Sequence, residues 1–533
     1  MTLSARTTCP FCLNGCELEV RFNYQFRMEY PADGKINQGR LCARGNSASI
    51  VIDHPRRLAY PLLDGKEITW EAALGKIRGW LSEVRPEEIG IVYSRGMSEQ
   101  EIGMVQTWAE SFGGANLVCG YIEPDNFLGE ELAGARRATL EDLAQAKRML
   151  IVGDAFGKSP VAAKHIVEAR YRDRASRLVV IDSIKTRLAG FAHLFIWVRP
   201  GTEPWALGAI AGLIDRSLKG IDVERFARVC GVESGQFQEA AKIVSGSEPG
   251  VVISALCLGH STQPELHSLL SQLVALKAGK PFAGFGEARL PEGRLPFGRF
   301  REAVAQGRIR LVFWFGGLHP YSYPEIFPEM KIVTYRVATS IFRPDEPLPG
   351  LVLPVPSELE KDSTGFSLWG EVRRQPVAKP VSGSRFVEQI VRELGGKAEG
   401  GMWKAEGGGR KVEEVVAALA AAPEPSDSSG DGFLLLGEKR AIGIGGFFET
   451  EQEISIHPDD AARVGVREAD GVVVKSPVGE RVFQVHVTPT VPAGVVAVGV
   501  NCHANRALFP IATLEPSGRA VIPPVKVQVW RKG

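Results

Sequence analysis

The sequence predicts an α/β protein with parallel sheets in its body and a small β-barrel at its C-terminal end, from residue 433. Between residues 88 and 336, short apolar runs alternate with segments whose apolar residues recur at helical spacing. Near-continuous apolar strands are buried on both faces, which requires helices on both sides of a parallel sheet. After residue 432 the pattern changes to short β runs with frequent Gly and Pro, which is typical of a small barrel.

The individual elements follow from the same patterns. The predicted strands are 88–94, 148–154, 177–183, 250–259, 310–317 and 331–336. The predicted helices are 98–112, 161–173, 205–219 and 266–279, with one helical turn over DDAARVG near residue 460. Two Gly-rich polar stretches, 395–411 and 420–432, predict a linker before the barrel.

Composition excludes several functions without choosing one. The chain has 533 residues, 44% hydrophobic and 23% charged, with a net charge of +1, so we expect several domains and no long-range attraction of nucleic acid or acidic membrane. No apolar run approaches the length of a membrane span, and the N-terminus resembles no export signal. We therefore expect a cytoplasmic or membrane-peripheral protein, with no direct membrane span and no nucleic-acid partner.

Four cysteines near the start of the chain are the strongest chemical signal. Cys9, Cys12 and Cys16 lie in CPFCLNGC, and Cys42 follows in GRLCARGN. Thiolates are the preferred ligands of iron-sulfur clusters, and one tight loop can present three of them to three corners of a cube while a remote cysteine closes the fourth. A structural zinc site and a thiol redox pair are the alternatives, although zinc sites usually pair two C-x-x-C knuckles. The spacing predicts a 4Fe-4S cluster.

Glycine and aspartate follow several predicted strands, at Gly153-Asp154, Asp182, Gly259 and Gly316. Ligands of open parallel sheets bind beyond the carboxyl ends of the strands, where glycine lets phosphate approach the backbone. A nucleotide-like cofactor is one interpretation, and simple turn chemistry is the other. No G-x-G-x-x-G or P-loop sequence supports NAD or ATP binding.

A series of motifs extends these observations over nearly the whole chain. In order they are the two cysteine motifs, HPRRLAYPL with ITWEAALGKI, LIVGDAFGKSP, VVIDSIKT, VRPGTEP, LVLPVPSELEKDSTGFSLWGEV (351–372), and IHPDDAARVGVREADGVVVKSPVGE through PAGVVAVGVNCHANR. This order resembles the molybdopterin-dinucleotide oxidoreductases of the dimethyl sulfoxide reductase type, particularly formate dehydrogenases and the catalytic subunit of formylmethanofuran dehydrogenase.

The resemblance implies a small N-terminal Fe-S domain, two Rossmann-like doubly wound α/β domains and a C-terminal double-psi β-barrel. The implied boundaries are 1–60 for the cluster domain, 61–130 plus 331–395 for one α/β domain, 131–330 for the other, 396–432 for the linker and 433–533 for the barrel. The implied cofactors are the 4Fe-4S cluster and molybdenum or tungsten held by bis(molybdopterin guanine dinucleotide).

The resemblance also assigns candidate cofactor contacts. Asp182 and Glu203 are candidate readers of guanine, whose N–H donors a carboxylate can accept, and Gly153 and Gly316 are candidate pyrophosphate turns. His503 and Asn505 resemble pterin or phosphate contacts, although an asparagine in a turn is an equal alternative. Completing this set are Asp154, Thr186, Gly201 and His319.

The metal ligand is the least certain part of the resemblance. Cys119, in GGANLVCGYIEPDNF, stands where the family places its ligand, but Gly120 replaces the usual histidine, and Glu123 or Asp125 are alternative ligands. A buried inert thiol is the other interpretation of Cys119. Arg44 falls where many relatives place a lysine between cluster and pterin; a surface ion pair is its alternative. Arg343 and His260 are candidate cations for an anionic substrate.

Two functions remain open at this stage. In the first, the chain is a formate dehydrogenase-like enzyme that oxidises or reduces a one-carbon substrate and passes electrons through one 4Fe-4S cluster. In the second, it resembles the large iron-sulfur subunit of respiratory complex I, a metal-free electron conduit and scaffold. The sequence shows no flavin or NAD motif, so both hypotheses imply iron-sulfur or flavin electron-transfer subunits as partners, and the first adds a small-molecule substrate.

Overall fold

The fold was analysed in a computed structural model of the chain. It describes all residues except 1–2, 24, 94–96, 115, 120–131, 256–259, 262, 286–293, 317–329, 331, 345–348, 397–408, 425–431, 439–451, 501–504, 506, 514–519 and 533, and only the backbone at Cys119, Phe366 and Ala520. The strands are β1 (Leu3–Thr8), β2 (Glu17–Asn23), β3 (Gln25–Glu29), β4 (Leu62–Leu63), β5 (Lys66–Glu67), β6 (Ile89–Tyr93), β7 (Leu117–Cys119), β8 (Arg148–Gly153), β9 (Arg177–Asp182), β10 (Leu194–Trp197), β11 (Gly250–Ala255), β12 (Phe282–Gly284), β13 (Leu311–Trp314), β14 (Tyr335–Ser340), β15 (Leu351–Pro354), β16 (Ser363–Ser367), β17 (Gly370–Arg374), β18 (Phe433–Glu438), β19 (Glu453–Ile456), β20 (Gly471–Lys475), β21 (Glu480–Val487), β22 (Val495–Gly499), β23 (Ala512–Thr513), β24 (Ala520–Val521) and β25 (Val525–Arg531).

The α-helices are α1 (Ala43–Asn46), α2 (Ala48–Asp53), α3 (Trp70–Ser82), α4 (Glu99–Glu110), α5 (Leu140–Gln145), α6 (Ala155–Lys158), α7 (Pro160–Arg172), α8 (Glu203–Ile214), α9 (Val223–Cys230), α10 (Ser234–Val244), α11 (Pro264–Lys277), α12 (Phe297–Ala305), α13 (Val387–Glu393), α14 (Val412–Ala421) and α15 (Pro458–Val464). In the part of the chain that is described, no helix combines the length and apolar character needed to cross a bilayer.

The N-terminal unit is a three-stranded antiparallel sheet, β1-β2-β3, with α1 and α2 beside it. Its core is small and contains Leu18, Val20, Val51 and Ile52 together with two of the cysteines. A core of this size buries little apolar surface, so a bound inorganic group would add to the stability of the unit.

A doubly wound domain follows, built on a parallel five-stranded sheet in the order β10-β9-β8-β11-β12. The central residues of its strands are mostly apolar and buried, and helices cover both faces, as the sequence predicts. The chain leaves β8 in one direction and returns to β11 on its other side. The carboxyl ends of β8 and β11 are therefore a topological switch point, where ligands of such sheets bind.

The other α/β domain is a seven-stranded sheet in the order β5-β4-β15-β14-β13-β6-β7, parallel from β15 to β7. One of its faces packs with α3, α4 and α13, and the other packs with α12 against the barrel. The chain therefore enters this domain, passes through the five-stranded domain and returns at α12.

The C-terminal unit is a closed barrel, β18-β22-β19-β21-β20-β25. The helical turn predicted near residue 460 is α15, with Pro458 at its first position and Gly465 ending it at a φ of 74°. The predicted α/β class with an N-terminal Fe-S unit and a C-terminal barrel is thus confirmed.

Three boundaries differ from those expected. Strand β13 and helix α12, expected in the 131–330 domain, belong to the seven-stranded sheet, because β13 pairs with β6 and β14. Helix α14, expected in the linker, packs on α8 and α11, because Val415, Val416 and Leu419 form an apolar face. The strand expected at 331–336 begins instead at Tyr335, which pairs with Leu311 at the start of β13.

Candidate functional site

Three of the four predicted cluster cysteines lie in the loop between β1 and β2. Thr8 pairs with Glu17 across the two strands, and the backbone N–H of Cys9 donates to the carbonyl of Cys16 at 2.8 Å, so the loop is closed at its base. Gly15 has a φ of 72°, a conformation that favours glycine, as the wrapped loop requires. The sequence therefore folds residues 9–16 into a compact arch.

The fourth cysteine is brought to this arch by a second loop. Asn37 is fully buried and bridges the backbone of Glu17, accepting from its N–H at 2.9 Å and donating to its carbonyl at 3.1 Å. Cys42 then caps the N-terminus of α1, and its sulfur accepts from the N–H of Gly45 at 3.4 Å. The two loops are locked together by polar contacts that do not use the sulfur atoms as bridges.

All four cysteines line one cavity, which is called the cysteine pocket below. Burial raises the pKa of the Cys9 thiol well above its usual range, and the neighbouring thiols Cys12, Cys16 and Cys42 raise it further. Burial is also the main reason for the raised pKa of Cys16 and Cys42. Cys9 and Cys16 are buried and Cys12 and Cys42 are partly buried. Four such thiols, which repel one another as thiolates, need a cationic centre to compensate them.

A cluster and a zinc ion place different demands on the four thiols. Zinc would require its sulfur ligands to meet about 2.3 Å from one centre, whereas a cubane gives each thiolate a separate iron. Among the described residues, no three His, Cys, Asp or Glu side chains are placed to hold a single metal ion.

A tyrosine hydroxyl also faces this pocket. Tyr30 lines it, and its buried oxygen has no hydrogen-bond partner among the described residues. Burial, together with the nearby Cys42, Cys9 and Cys16, raises the pKa of Tyr30, so the group remains a neutral O–H donor. An unsatisfied buried donor beside four sulfurs fits a pocket that takes an anionic cluster.

Arg44 connects the cysteine pocket to the five-stranded domain. It lines the pocket, is 3% exposed, and donates to the carbonyls of Gly157 at 2.6 Å and Lys158 at 3.3 Å. Its charge also acts on Asp154, at the carboxyl end of β8. The surface ion pair considered as its alternative is therefore wrong.

At that end of the sheet lie three buried carboxyl groups, Asp154, Asp182 and Glu203, which are called the carboxylate cluster. Asp154 follows β8, Asp182 is the last residue of β9, and Glu203 is the first residue of α8. Burial raises the pKa of all three groups, and that of Glu203 rises to about 7; Asp154 and Glu203 also raise the pKa of Asp182. The parallel sheet brings together residues that are far apart in sequence.

The carboxylate cluster has unused acceptors. One oxygen of Asp182 accepts from the N–H groups of Ser183 and Ile184 at 2.8 and 3.2 Å, while its other oxygen has no partner in the described chain. One oxygen of Asp154 is likewise without a partner in the described chain, and the buried carboxyl of Glu203 has only the hydroxyl of Ser183 and the N–H groups of Gly201 and Glu203 close to it. Buried acceptors without donors fit a ligand that supplies N–H groups, and guanine is such a ligand.

The barrel closes over this edge of the sheet. His260 is buried; its Nε2 bonds to the carbonyl of Gly437 in β18 at 2.7 Å, and its Nδ1 bonds to the hydroxyl of Ser183 at 3.3 Å. The N–H of Lys185 donates to the carbonyl of Thr490 at 2.8 Å. Burial lowers the pKa of His260 to about 4, so it is neutral near pH 7 and cannot serve as the cation predicted for a substrate.

The other predicted residues fall into three groups. Gly153, Gly201 and Gly316 have positive φ values of 91°, 81° and 71°, as expected of turns, and Thr186 has a buried hydroxyl without a partner among the described residues. Asn505 is buried in the barrel and donates to the carbonyl of Gly499 at 2.7 Å. Arg343 is half exposed and pairs with Glu67, away from these sites.

The predicted metal ligand is placed only by its backbone. Cys119 ends β7 at the carboxyl edge of the seven-stranded sheet, the edge that also bears Gly316 after β13. The positions of Gly120, Glu123, Asp125, His319 and His503 lie outside the described residues.

The sequence analysis missed three polar side chains. Asn14 donates to the sulfur of Cys16 at 3.0 Å, and the indole N–H of Trp369 donates to Asn14 at 3.2 Å. His267 in α11 is 1% exposed with both ring nitrogens unpartnered in the described chain, and burial lowers its pKa to about 3. The position of Asn14 inside the cysteine motif was the only signal in the sequence, because Trp369 and His267 reach their places through the tertiary fold.

Two family models match the chain at its two ends. The molybdopterin oxidoreductase Fe4S4 domain matches residues 4–54, and the molydopterin dinucleotide binding domain matches residues 445–512. The first contains the cysteine pocket, and the second falls within the barrel unit. These matches confirm the predicted cluster and dinucleotide domains.

Sequence relatives agree with this result at low identity. The chain is 26% identical over 287 residues to the F420-dependent formate dehydrogenase subunit alpha of Methanocaldococcus jannaschii, covering 48% of this chain and 42% of that protein. It is 24% identical over 281 residues to the NADPH-Fe(3+) oxidoreductase subunit alpha of Geobacter sulfurreducens, covering 46% and 33%. The chain thus spans less than half the length of the curated relatives it matches.

A solved structure matches across the whole chain. Acetylene hydratase from Pelobacter acetylenicus superposes with a TM-score of 0.74, covering 99% of this chain and 100% of that chain at 12% sequence identity. At this identity the match concerns the fold alone, and it agrees with the arrangement of the four units. The chain thus matches a molybdopterin oxidoreductase Fe4S4 domain near its start and a molydopterin dinucleotide binding domain near its end, and the fold of this solved structure extends across both.

Proposed function

We propose that the chain is the catalytic subunit of a formate dehydrogenase-like enzyme, which oxidises formate or a related one-carbon acyl group, or carries out the reverse reduction. The observation that carries the proposal is the pairing of two buried sites, the cysteine pocket and the carboxylate cluster, with Arg44 between them. An electron carrier beside a dinucleotide site is the arrangement that a two-electron reaction with single-electron transfer needs.

Residues in different parts of the chain have different roles in this proposal. Cys9, Cys12, Cys16 and Cys42 would hold the 4Fe-4S cluster. Asp182 and Glu203 would accept N–H donors of guanine, because both carboxyl groups are buried and one oxygen of Asp182 has no donor among the described residues. Bis(molybdopterin guanine dinucleotide) with molybdenum or tungsten would supply the two-electron chemistry, and Cys119 is the proposed protein ligand to that metal.

Arg44 has an electrostatic role in this proposal. Its guanidinium keeps its charge at all relevant pH values and is held between the two sites by backbone carbonyls. A fixed positive charge there stabilises electrons on either neighbour. It cannot readily release a proton, so we assign it no proton transfer.

Partner subunits belong to the proposal. A single cluster carries electrons only to a nearby acceptor, and formate dehydrogenase and NADPH-Fe(3+) oxidoreductase relatives are named as alpha subunits. We propose iron-sulfur or flavin proteins as the acceptors, docking near the N-terminal unit.

The proposal is tested by metal analysis and one assay. The purified complex should contain about four iron atoms and about one molybdenum or tungsten atom per chain. It should also reduce viologen when formate is added. Iron with neither molybdenum nor tungsten would overturn the enzyme and leave the electron-conduit function, which the replacement of the ligand-loop histidine by Gly120 favours. Iron together with molybdenum or tungsten, but without formate-dependent reduction of viologen, would exclude formate as the substrate.

A further inference from the structure

We propose that Asn14 and Trp369 set the reduction potential of the cluster in the cysteine pocket, Asn14 as a direct hydrogen-bond donor to the Cys16 thiolate and Trp369 as the residue that positions it. The proposal rests on the cluster assigned above and concerns residues that neither domain match identifies as ligands. It assigns a function to the β16–β17 hairpin, which is remote from the cysteines in sequence.

The first observation is the contact with sulfur. The side-chain nitrogen of Asn14 lies 3.0 Å from the sulfur of Cys16, and Asn14 is 1% exposed. A buried amide beside sulfur is not screened by water, so its N–H dipole acts at nearly full strength. Hydrogen bonds to cluster sulfurs are one of the determinants of cluster potential.

The second observation fixes which end of the amide faces the sulfur. The indole nitrogen of Trp369 lies 3.2 Å from the side-chain oxygen of Asn14. An indole N–H can only donate, so the amide oxygen must face Trp369 and the NH₂ group must face Cys16. Without this contact, the amide could rotate and present its oxygen to the thiolate, where the interaction is repulsive.

The third observation is the rigidity of the hairpin that carries Trp369. The N–H of Leu368 donates to the carbonyl of Leu13 at 2.6 Å, so the hairpin turn is bonded directly to the cysteine loop. A Cβ atom added at Gly15 would lie 2.7 Å from the Cβ atom of Ser367, which shows how closely the two segments approach. The ring of Trp369 also packs edge-on against Phe285, at 6.4 Å between centroids.

The sign of the effect follows from charge. Reduction adds an electron to the cluster, and a hydrogen bond to a thiolate stabilises the more negative state more strongly. Loss of the Asn14 donor should therefore lower the potential and make the cluster harder to reduce.

The experiment is an EPR-monitored redox titration of the full protein and its variants. Asn14→Leu, which removes the amide at similar volume, should change the ratio of reduced to oxidised cluster about tenfold at a fixed potential, corresponding to about 59 mV for one electron. Trp369→Phe keeps the aromatic packing and removes only the N–H, and it should shift the potential in the same direction by a smaller amount.

A double variant separates positioning from direct action. If Trp369 acts through Asn14, adding Trp369→Phe to Asn14→Leu should cause no further shift. The matched control is Trp70→Phe, which removes an indole N–H bond of 2.7 Å to the carbonyl of Gly383, a contact outside the cysteine pocket. This control should leave the potential unchanged.

The outcomes distinguish this inference from the proposed function. An unchanged potential in Trp369→Phe and in Asn14→Leu, with four iron atoms retained, would overturn the inference and leave the function intact. A shift in Trp369→Phe that persists unchanged in the Asn14→Leu background would overturn the positioning role. Absence of any cluster signal in the unmodified protein would reject the cluster assignment itself.

Discussion

The cysteine pocket and the carboxylate cluster differ in how they are assembled. All four sulfur donors come from residues 9–42, within one small sheet and its loops. Asp154, Asp182 and Glu203 come from separate crossovers of the five-stranded domain, and His260 joins them to the barrel through Gly437. A site built from neighbouring residues leaves a motif, whereas a site built at a sheet edge leaves only single residues after strands.

The two sites also differ in their electrostatics. The cysteine pocket contains groups whose ionisation is suppressed until a cationic centre binds, with Arg44 beside them. The carboxylate cluster contains acceptors whose ionisation is suppressed by burial and by one another. One site is therefore suited to metal, and the other to a neutral ligand that carries N–H donors.

The largest expected effect tests whether the two sites are separable. Cys16→Ser should lower the iron content below four atoms per chain and remove most of the visible absorption of the cluster, because one thiolate corner is lost. The carboxylate cluster and the barrel come from elements that are separate in sequence from the cysteine loop, so bound dinucleotide should be retained. Iron analysis and cofactor extraction measure both results.

The control for this variant is Cys230→Ser. Cys230 is also buried, but it lies at the end of α9 and its thiol donates to the carbonyl of Thr202 at 3.4 Å. The iron content of the Cys230→Ser variant should match that of the unmodified protein. Equal iron in both variants would contradict the assignment of Cys16 as a ligand.

The next largest expected effect concerns a buried ion pair between two segments that are far apart in sequence. Arg57 and Glu360 form an ion pair at 2.6 Å with side chains 5% and 1% exposed, joining the segment after α2 to the loop before the hairpin. Arg57→Ala leaves Glu360 buried without its partner and should lower the free energy of unfolding by about 3–5 kcal/mol. Chemical denaturation of the iron-loaded protein measures this loss.

A second arginine provides the comparison. Arg373 pairs with Asp362 at 3.1 Å, but both side chains are more than half exposed. Arg373→Ala should leave the free energy of unfolding nearly unchanged, because solvent screens an exposed ion pair. Equal losses in the two variants would show that burial of the Arg57 pair is not what holds this region.

The smallest expected effect tests the electrostatics of the carboxylate cluster. Burial raises the pKa of Glu203 from 4.5 to about 7. Ionising this carboxyl therefore costs more free energy in the folded chain than in the unfolded chain. The comparison uses cofactor-free protein. As the pH rises from about 4.5 to about 7, the free energy of unfolding of the unmodified protein should fall by roughly 3 kcal/mol relative to that of Glu203→Gln. Denaturation at several pH values gives this difference.

Asp142→Asn is the control for the sign. The hydrogen bond from Arg136 lowers the pKa of Asp142 from 3.8 to about 2, so the stabilisation that this carboxyl gives is complete above about pH 4 and is lost as the pH falls from there to about 2. The difference between this variant and the unmodified protein should be flat between pH 4.5 and 7. A flat difference for Glu203→Gln would mean that this carboxyl is solvated.

Much of the fold could be predicted because apolar periodicity is a local property. The helices predicted at 161–173 and 266–279 are α7 and α11 within two residues at each end, and the strands predicted at 148–154 and 177–183 are β8 and β9. The errors in the predicted domain boundaries arose where strand pairing decides which sheet a strand joins. Strand β13 belongs to the sheet of β6 and β14, and an apolar run does not show which of two sheets will hold it.

The candidate site divides in the same way. The sequence by itself determined which four cysteines are the candidate ligands, because two close loops can bring thiols together without the rest of the chain. Only the tertiary structure decided that Arg44 lies between two buried sites, that His260 is a neutral link to the barrel, and that Trp369 reaches Asn14. These contacts join residues more than 100 positions apart, and their geometry depends on sheet order and hairpin docking, which no local pattern encodes.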